Sequence, residues 1–162
     1  MLELLAKLLL QLVIKVAPPL ARRFYGQDRL TRDLRIRVRS EGDGVVFNCG
    51  EMPYVRAWLT ITNLSPLDLE IERLFGRIYC GSELTPFYEL HRHTIKASTE
   101  KEIFLDMPLN RDQAAFLSRN REYNYETNLT ATAYIISSLH SFELADRRIA
   151  AGNVRFQNCL SP

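Results

Sequence analysis

The chain has 162 residues, long enough for one domain and short of two. Hydrophobic residues make up 46% and charged residues 25%, which excludes wholesale disorder, and seven glycines with seven prolines exclude a collagen-like or low-complexity chain. The formal net charge of +2 is too small to mark the whole chain as a nucleic-acid binder.

That charge is unevenly spread. Residues 1–39 carry nine basic side chains against Glu3, Asp28 and Asp33, a net +6 that leaves −4 on the remainder. A basic front on a mildly acidic body suits an anionic surface such as a membrane leaflet. The opening MLELLAKLLLQLVIKVAPP does not read as a secretion signal, because Glu3 comes first and Lys7, Gln11 and Lys15 interrupt the apolar run. Nor does it read as a membrane span, which needs about 20 mostly apolar residues. The polar positions Glu3, Lys7, Gln11 and Lys15 recur every four residues and draw one narrow stripe on a helix over about 2–17. Everything else from Leu2 to Val16 is Leu, Ile, Val or Ala, so the helix is apolar around most of its circumference. Pro18 and Pro19 are expected to end it, since proline lacks the amide and clashes with the preceding turn. Arg22 and Arg23 follow where anionic head groups would lie.

The sequence therefore names a contact set: Leu4, Leu5, Leu8, Leu9, Leu12 and Val16 to insert, Arg22 and Arg23 to meet phosphates. Three readings compete for it: a shallow membrane anchor, an assembly helix in a homo-oligomer or larger complex, and a helix packed on its own domain. The first is favoured, with a cytoplasmic protein peripheral to a membrane as the expected setting. A membrane-disrupting effector is a further alternative.

From Asp33 the period changes to two. Leu34, Ile36 and Val38 alternate with Arg35, Arg37 and Arg39, and after the turn Glu41–Gly44 a short strand follows at Val45–Phe47. Val55, Ala57, Leu59 and Ile61 share one strand face; Asn63-Leu64-Ser65-Pro66 carries turn chemistry. Leu67, Leu69 and Ile71 alternate with acids, and Leu74–Cys80 is read as a further strand in which Gly76 marks a bulge. Thr94–Lys96 and Ile103–Met107 are two more strands. Asn110 then caps a short helix, Arg111–Arg119. Leu129, Ala131, Ala133 and Ile135 resume the alternation, and Val154 with Phe156 closes the chain. Short strands at this spacing predict an all-β, antiparallel immunoglobulin- or fibronectin-like sandwich over 33–158, with residues 1–32 as an apolar helix and basic linker.

The stretch Ala57–Leu84 resembles the core of the LEA-2 (LEA14-like, water-stress and hypersensitive-response) domain. Leu59, Ile61, Asn63 and Pro66 match its Asn-Pro-type corner, Leu67, Leu69 and Ile71 the following strand, and Gly81-Ser82 the closing turn. The segment Ala97–Leu105 is similar to the strand that comes next. Leu64 departs from the pattern, where the family commonly has proline. The resemblance implies a sandwich of binding and membrane-associated roles with no catalytic residues to carry over.

Candidate chemistry is sparse. His91 and His93 share a strand face and would bind a metal with Glu89 or His140 as third ligand, although a polar strand face accounts for them more simply. Ser137, Ser138 and Ser141 flank His140 without a nucleophile-elbow motif. Cys49, Cys80 and Cys159 form neither a close pair nor a CxxC, so reduced thiols are expected, with Cys49 and Cys80 able to meet across strands. Asn63 and Asn128 stand in glycosylation sequons. The Arg35-Arg37-Arg39 ladder lacks an aromatic on its own strand, so a nucleic-acid partner is disfavoured, and Glu70 and Glu72 are its expected cross-strand partners. Glu122–Glu126, with two tyrosines, is a candidate binding loop. No metal, cofactor or catalytic site is expected.

Overall fold

The computed structural model describes residues 5, 9, 12–14, 16–121 and 126–159. Among the described residues ten strands form two five-stranded sheets that enclose one main core, an all-β sandwich with a few short helices. The strands are β1 (Leu34–Val38), β2 (Val45–Asn48), β3 (Tyr54–Asn63), β4 (Leu69–Cys80) and β5 (Glu83–Glu89). They continue with β6 (His93–Ile95), β7 (Thr99–Pro108), β8 (Thr127–Ser137), β9 (Ser141–Ala150) and β10 (Val154–Gln157). The helices are α1 (Pro18–Phe24), α2 (Gln27–Asp33) and α3 (Arg111–Asn120).

Strand β3 organises the first sheet. Its last half pairs with β1, its first half with β2, and its other edge with β7 along its whole length. The period-2 alternation accounts for this: Val55, Ala57, Leu59 and Ile61 are fully buried, while Arg56, Trp58, Thr60 and Thr62 face outward. In the second sheet β4 is central, between β8 on one side and β5 with β6 on the other, and β9 extends it beyond β8. Leu129, Ala131, Ala133 and Ile135 turn into the core as their spacing requires.

Four expectations need correction. The sheets are not wholly antiparallel, because β10 pairs parallel with β2, Val154 opposite Val45 through Gln157 opposite Asn48. The acidic stretch after Asn63 and the run to Cys80 form one strand, with the register shift between Ile71 and Arg73 and none at Gly76. Gly76 instead meets a close approach: a Cβ there would fall inside the Thr130 carbonyl and against the Phe87 ring. The stretch read as a linker holds two helices, α1 and α2, separated by Tyr25 and Gly26. Ala17 breaks the preceding helix (φ −136), and the two prolines occupy the first turn of α1, where a missing amide costs nothing.

The short helix α3 forms as its sequence dictates, with Asn110 accepting from the Gln113 amide at 2.8 Å and the Gln113 side chain returning the bond at 3.0 Å. At the other end of β3, Asn63 is wholly buried. Its Nδ2 donates to the carbonyls of Leu67 (2.7 Å), Ile95 and Lys96 (both 3.2 Å). Its Oδ1 accepts from the Ser65 amide (3.0 Å) and hydroxyl (2.7 Å). A buried side chain so engaged is no glycan acceptor. The departure at Leu64 has a cause of its own, since the Leu64 amide donates to the Asp33 carbonyl at 2.8 Å, a bond that proline could not make. Asn63→Ala is expected to lower stability by about 2–4 kcal/mol by removing a buried amide that bonds the main chain at Ser65, Leu67, Ile95 and Lys96, read as a shift in the urea midpoint at unchanged slope.

Candidate functional site

Helices α1 and α2 dock on the end of the sandwich where Asn63 lies. Ala21 and Leu30 are buried there with Leu67 and Leu139 in a small second core, flanked by Val13, Ile14, Tyr25 and Phe142. Gln27 Nε2 donates to the Ser141 carbonyl (3.3 Å), fastening α2 to the start of β9. Arg29 reaches back to the Phe24 carbonyl at the end of α1 (3.3 Å), lies over the Tyr25 ring (4.7 Å) and approaches Asp33 (3.9 Å).

The opposite side of this helical segment has no cover. Leu5, Leu9, Leu12, Val16, Leu20 and Phe24 are 55%, 59%, 58%, 75%, 52% and 61% exposed. Leu5, Leu9, Leu12 and Val16 before the break at Ala17, and Leu20 and Phe24 within α1, are spaced three or four residues apart, while Val13, Ile14, Ala21 and Tyr25 pack on the body. Arg22 and Arg23 are exposed in the last turn of α1, where cations also suit the negative end of the helix dipole. Of the contact set, Leu5, Leu9, Leu12, Val16, Arg22 and Arg23 are thus exposed together, whereas Leu4 and Leu8 lie outside the described residues. Sequence reasoning missed Leu20 and Phe24. The signal was the four-residue step Val16–Leu20–Phe24, hidden because the prolines, which follow the break at Ala17, also open the next helix. Among the described residues no helix is long and apolar enough to cross a membrane.

The other candidates resolve into structural roles. Glu89 accepts from the His91 amide (2.8 Å) and ring (2.7 Å) and stands 3.6 Å from His93 Nε2. Among the described residues no group of His, Cys, Asp or Glu could hold a metal ion. Ser137 Oγ closes the β8–β9 turn, accepting from the amides of Leu139 (3.3 Å) and His140 (2.9 Å). Arg37 and Arg39 do not pair with Glu70 and Glu72. They reach across β3 to Glu100 (3.7 Å) and Glu102 (3.5 Å), while Arg92 takes Glu70 (3.1 Å) and Glu72 (3.3 Å). Arg39 does lie over Trp58 (4.8 Å), an aromatic supplied by the neighbouring strand. An open groove of about 770 Å³ at the far end of β3 is lined by Tyr54, Arg56 and Asp106 among others, and its arginine is already paired with Asp106 (3.2 Å). Of the tyrosine loop, residues 122–125 lie outside the described residues.

No family model matches the chain, and no curated protein matches it. Several solved structures are similar to it at low identity. A structural-genomics target, SoR45, is 13% identical over 74% of this chain and 86% of its own, with a TM-score of 0.48. A protein described as ApaA from Bordetella pertussis is 12% identical over 74% and 89%, TM-score 0.44. A protein described as a late embryogenesis abundant (LEA) protein is 12% identical over 85% and 83%, TM-score 0.43. The likeness is one of fold alone. A LEA protein is thus among the structures this chain is similar to.

The His-Glu cluster sets an acid response. Burial lowers the affinity of His93 for a proton, and Glu89 offsets this only in part. Burial acts to raise Glu89, but the His91 hydrogen bonds and the two imidazoles outweigh it and hold the carboxyl below its ordinary range. The unfolded chain therefore binds more protons than the fold below about pH 6.5, and stability falls as pH falls. Urea midpoints measured between neutral and mildly acid pH should show that decline, and His93→Gln should flatten its upper part. An unaltered slope in the variant would assign the decline to other groups.

Proposed function

We propose that this chain is a non-catalytic binding module that rests on an anionic lipid surface through the outward side of its N-terminal helical segment. The observation that carries the reading is the uncovered apolar row from Leu5 to Phe24 with Arg22 and Arg23 beside it. Each of these six apolar side chains is more than half-exposed, so about 1 kcal/mol apiece remains to be gained on burial, roughly 6 kcal/mol in all. That is the scale of a single acyl chain, which holds a protein to a bilayer reversibly. An arginine at an anionic leaflet adds about 1 kcal/mol, and supplies charge complementarity that an apolar protein groove lacks. With the inner side of α1 and α2 committed to Leu67 and Leu139, the segment would lie in the interface plane and hold the sandwich against the leaflet.

Flotation with phosphatidylcholine vesicles containing phosphatidylserine tests this. The full chain is expected to float with them, less with phosphatidylcholine alone and less at high salt. Leu12→Glu with Val16→Glu, both at exposed positions, should weaken binding at least about tenfold, a loss of about 1.4 kcal/mol or more. Unchanged flotation of that variant overturns the reading. So does a discrete lipid-free oligomer that the same two changes dissolve, which would make the row an assembly interface.

A further inference from the structure

At the end of the sandwich remote from the helices, the parallel pairing of β10 with β2 brings two cysteines together that lie far apart in sequence. The Cys49 amide, just past β2, donates to the Gln157 carbonyl at 3.0 Å. Asn158 then adopts a left-handed backbone (φ 52), and its Nδ2 donates to Asn48 Oδ1 at 2.8 Å. This clamp folds the chain back so that Cys159 packs against the main core, its Sγ 3.7 Å from the Gln157 carbonyl. The β2–β10 pairing and this clamp thus set Cys49 and Cys159 beside each other at one end of the sheet. Cys49 is buried and Cys159 partly exposed, so one sulfur of the pair is open to a reagent and the other shielded. Cys80 is buried on β4 of the opposite sheet, beside Thr127.

We infer that Cys49 and Cys159 form a redox-modification site that takes a small disulfide of the oxidised-glutathione class and closes into an intramolecular disulfide. The Cys159 thiolate attacks one sulfur of the glutathione disulfide and expels a glutathione thiolate, leaving a mixed disulfide on Cys159. Cys49 then loses its proton to solvent and attacks the Cys159 sulfur, expelling the second glutathione thiolate. Two protein thiols are oxidised and one glutathione disulfide is reduced to two thiols. The order of attack follows from the surroundings. Burial, together with the hydrogen bond to Cys159 and its charge, pushes the Cys49 thiol up to about 12. Cys49 is therefore the resolving sulfur, and the mixed disulfide on Cys159 removes both the thiol partner and the charge that restrain it. The product fastens β10, a four-residue edge strand, covalently to β2 and constrains more than a hundred residues of unfolded chain.

The test is to treat the full chain with oxidised glutathione in mildly alkaline buffer, then map peptides without reduction. A Cys49–Cys159 cross-link with Cys80 still free is expected, and the thermal midpoint should rise by about 5 °C or more until a reductant is added. Cys80→Ser should form the same link, and Cys159→Ser, altered only at the more exposed sulfur, should leave Cys49 unmodified in the folded protein. A stable glutathione adduct on Cys159 beside a free Cys49, a Cys49–Cys80 link, or three unreacted thiols would each overturn the assignment.

Discussion

One buried amide holds the helix-bearing end of this molecule together. Asn63 sits at the close of β3 with no solvent contact, and its side chain engages the main chain at Ser65, Leu67, Ile95 and Lys96. A lone amide in that position would cost several kcal/mol; with every lone pair and proton occupied it becomes a rigid junction instead. The corner it builds puts Leu67 into the small core under α1 and α2 and aims the Leu64 amide at the last carbonyl of α2. The attitude of the helices, and with it the direction of the apolar row, follows from that corner.

The molecule is polar in its division of labour. β3 runs ten residues, roughly 30 Å, from the thiol pair to the helical platform. Cross-strand packing between these ends is dense and continuous, with one main core from Phe47 and Cys49 at one end to Leu69 and Ile71 at the other. Among the described residues the platform has a separate small core of four buried side chains. The proposed lipid contact and the proposed dithiol thus occupy opposite ends of a stiff body.

The charged side chains arrange themselves by the same geometry. The outward faces of β1, β3 and β7 carry Arg37, Arg39 and Arg56 against Glu100, Glu102 and Asp106. These exposed pairs contribute little to stability, but they neutralise a basic ladder that looks free in the linear chain. Arg22 and Arg23, on α1, stand in solvent.

The class of fold was legible from alternation alone, because a side chain every second residue must face either core or water and Val55-Ala57-Leu59-Ile61 or Leu129-Ala131-Ala133-Ile135 permits one choice. The greasy character of the first sixteen residues and the Asn110 cap were equally local facts. The partners were not. Nothing near Arg37 in sequence points to Glu100, since that pairing exists only because β7 lies on the far side of β3. Likewise β9 carries few inward apolar residues, because an edge strand with polar side chains on both faces loses the alternation. The parallel docking of β10 decided which cysteines meet, and the Leu64 amide decided that proline would not serve at its corner. Periodicity records which way each side chain points; only the closed sandwich determines what it then touches.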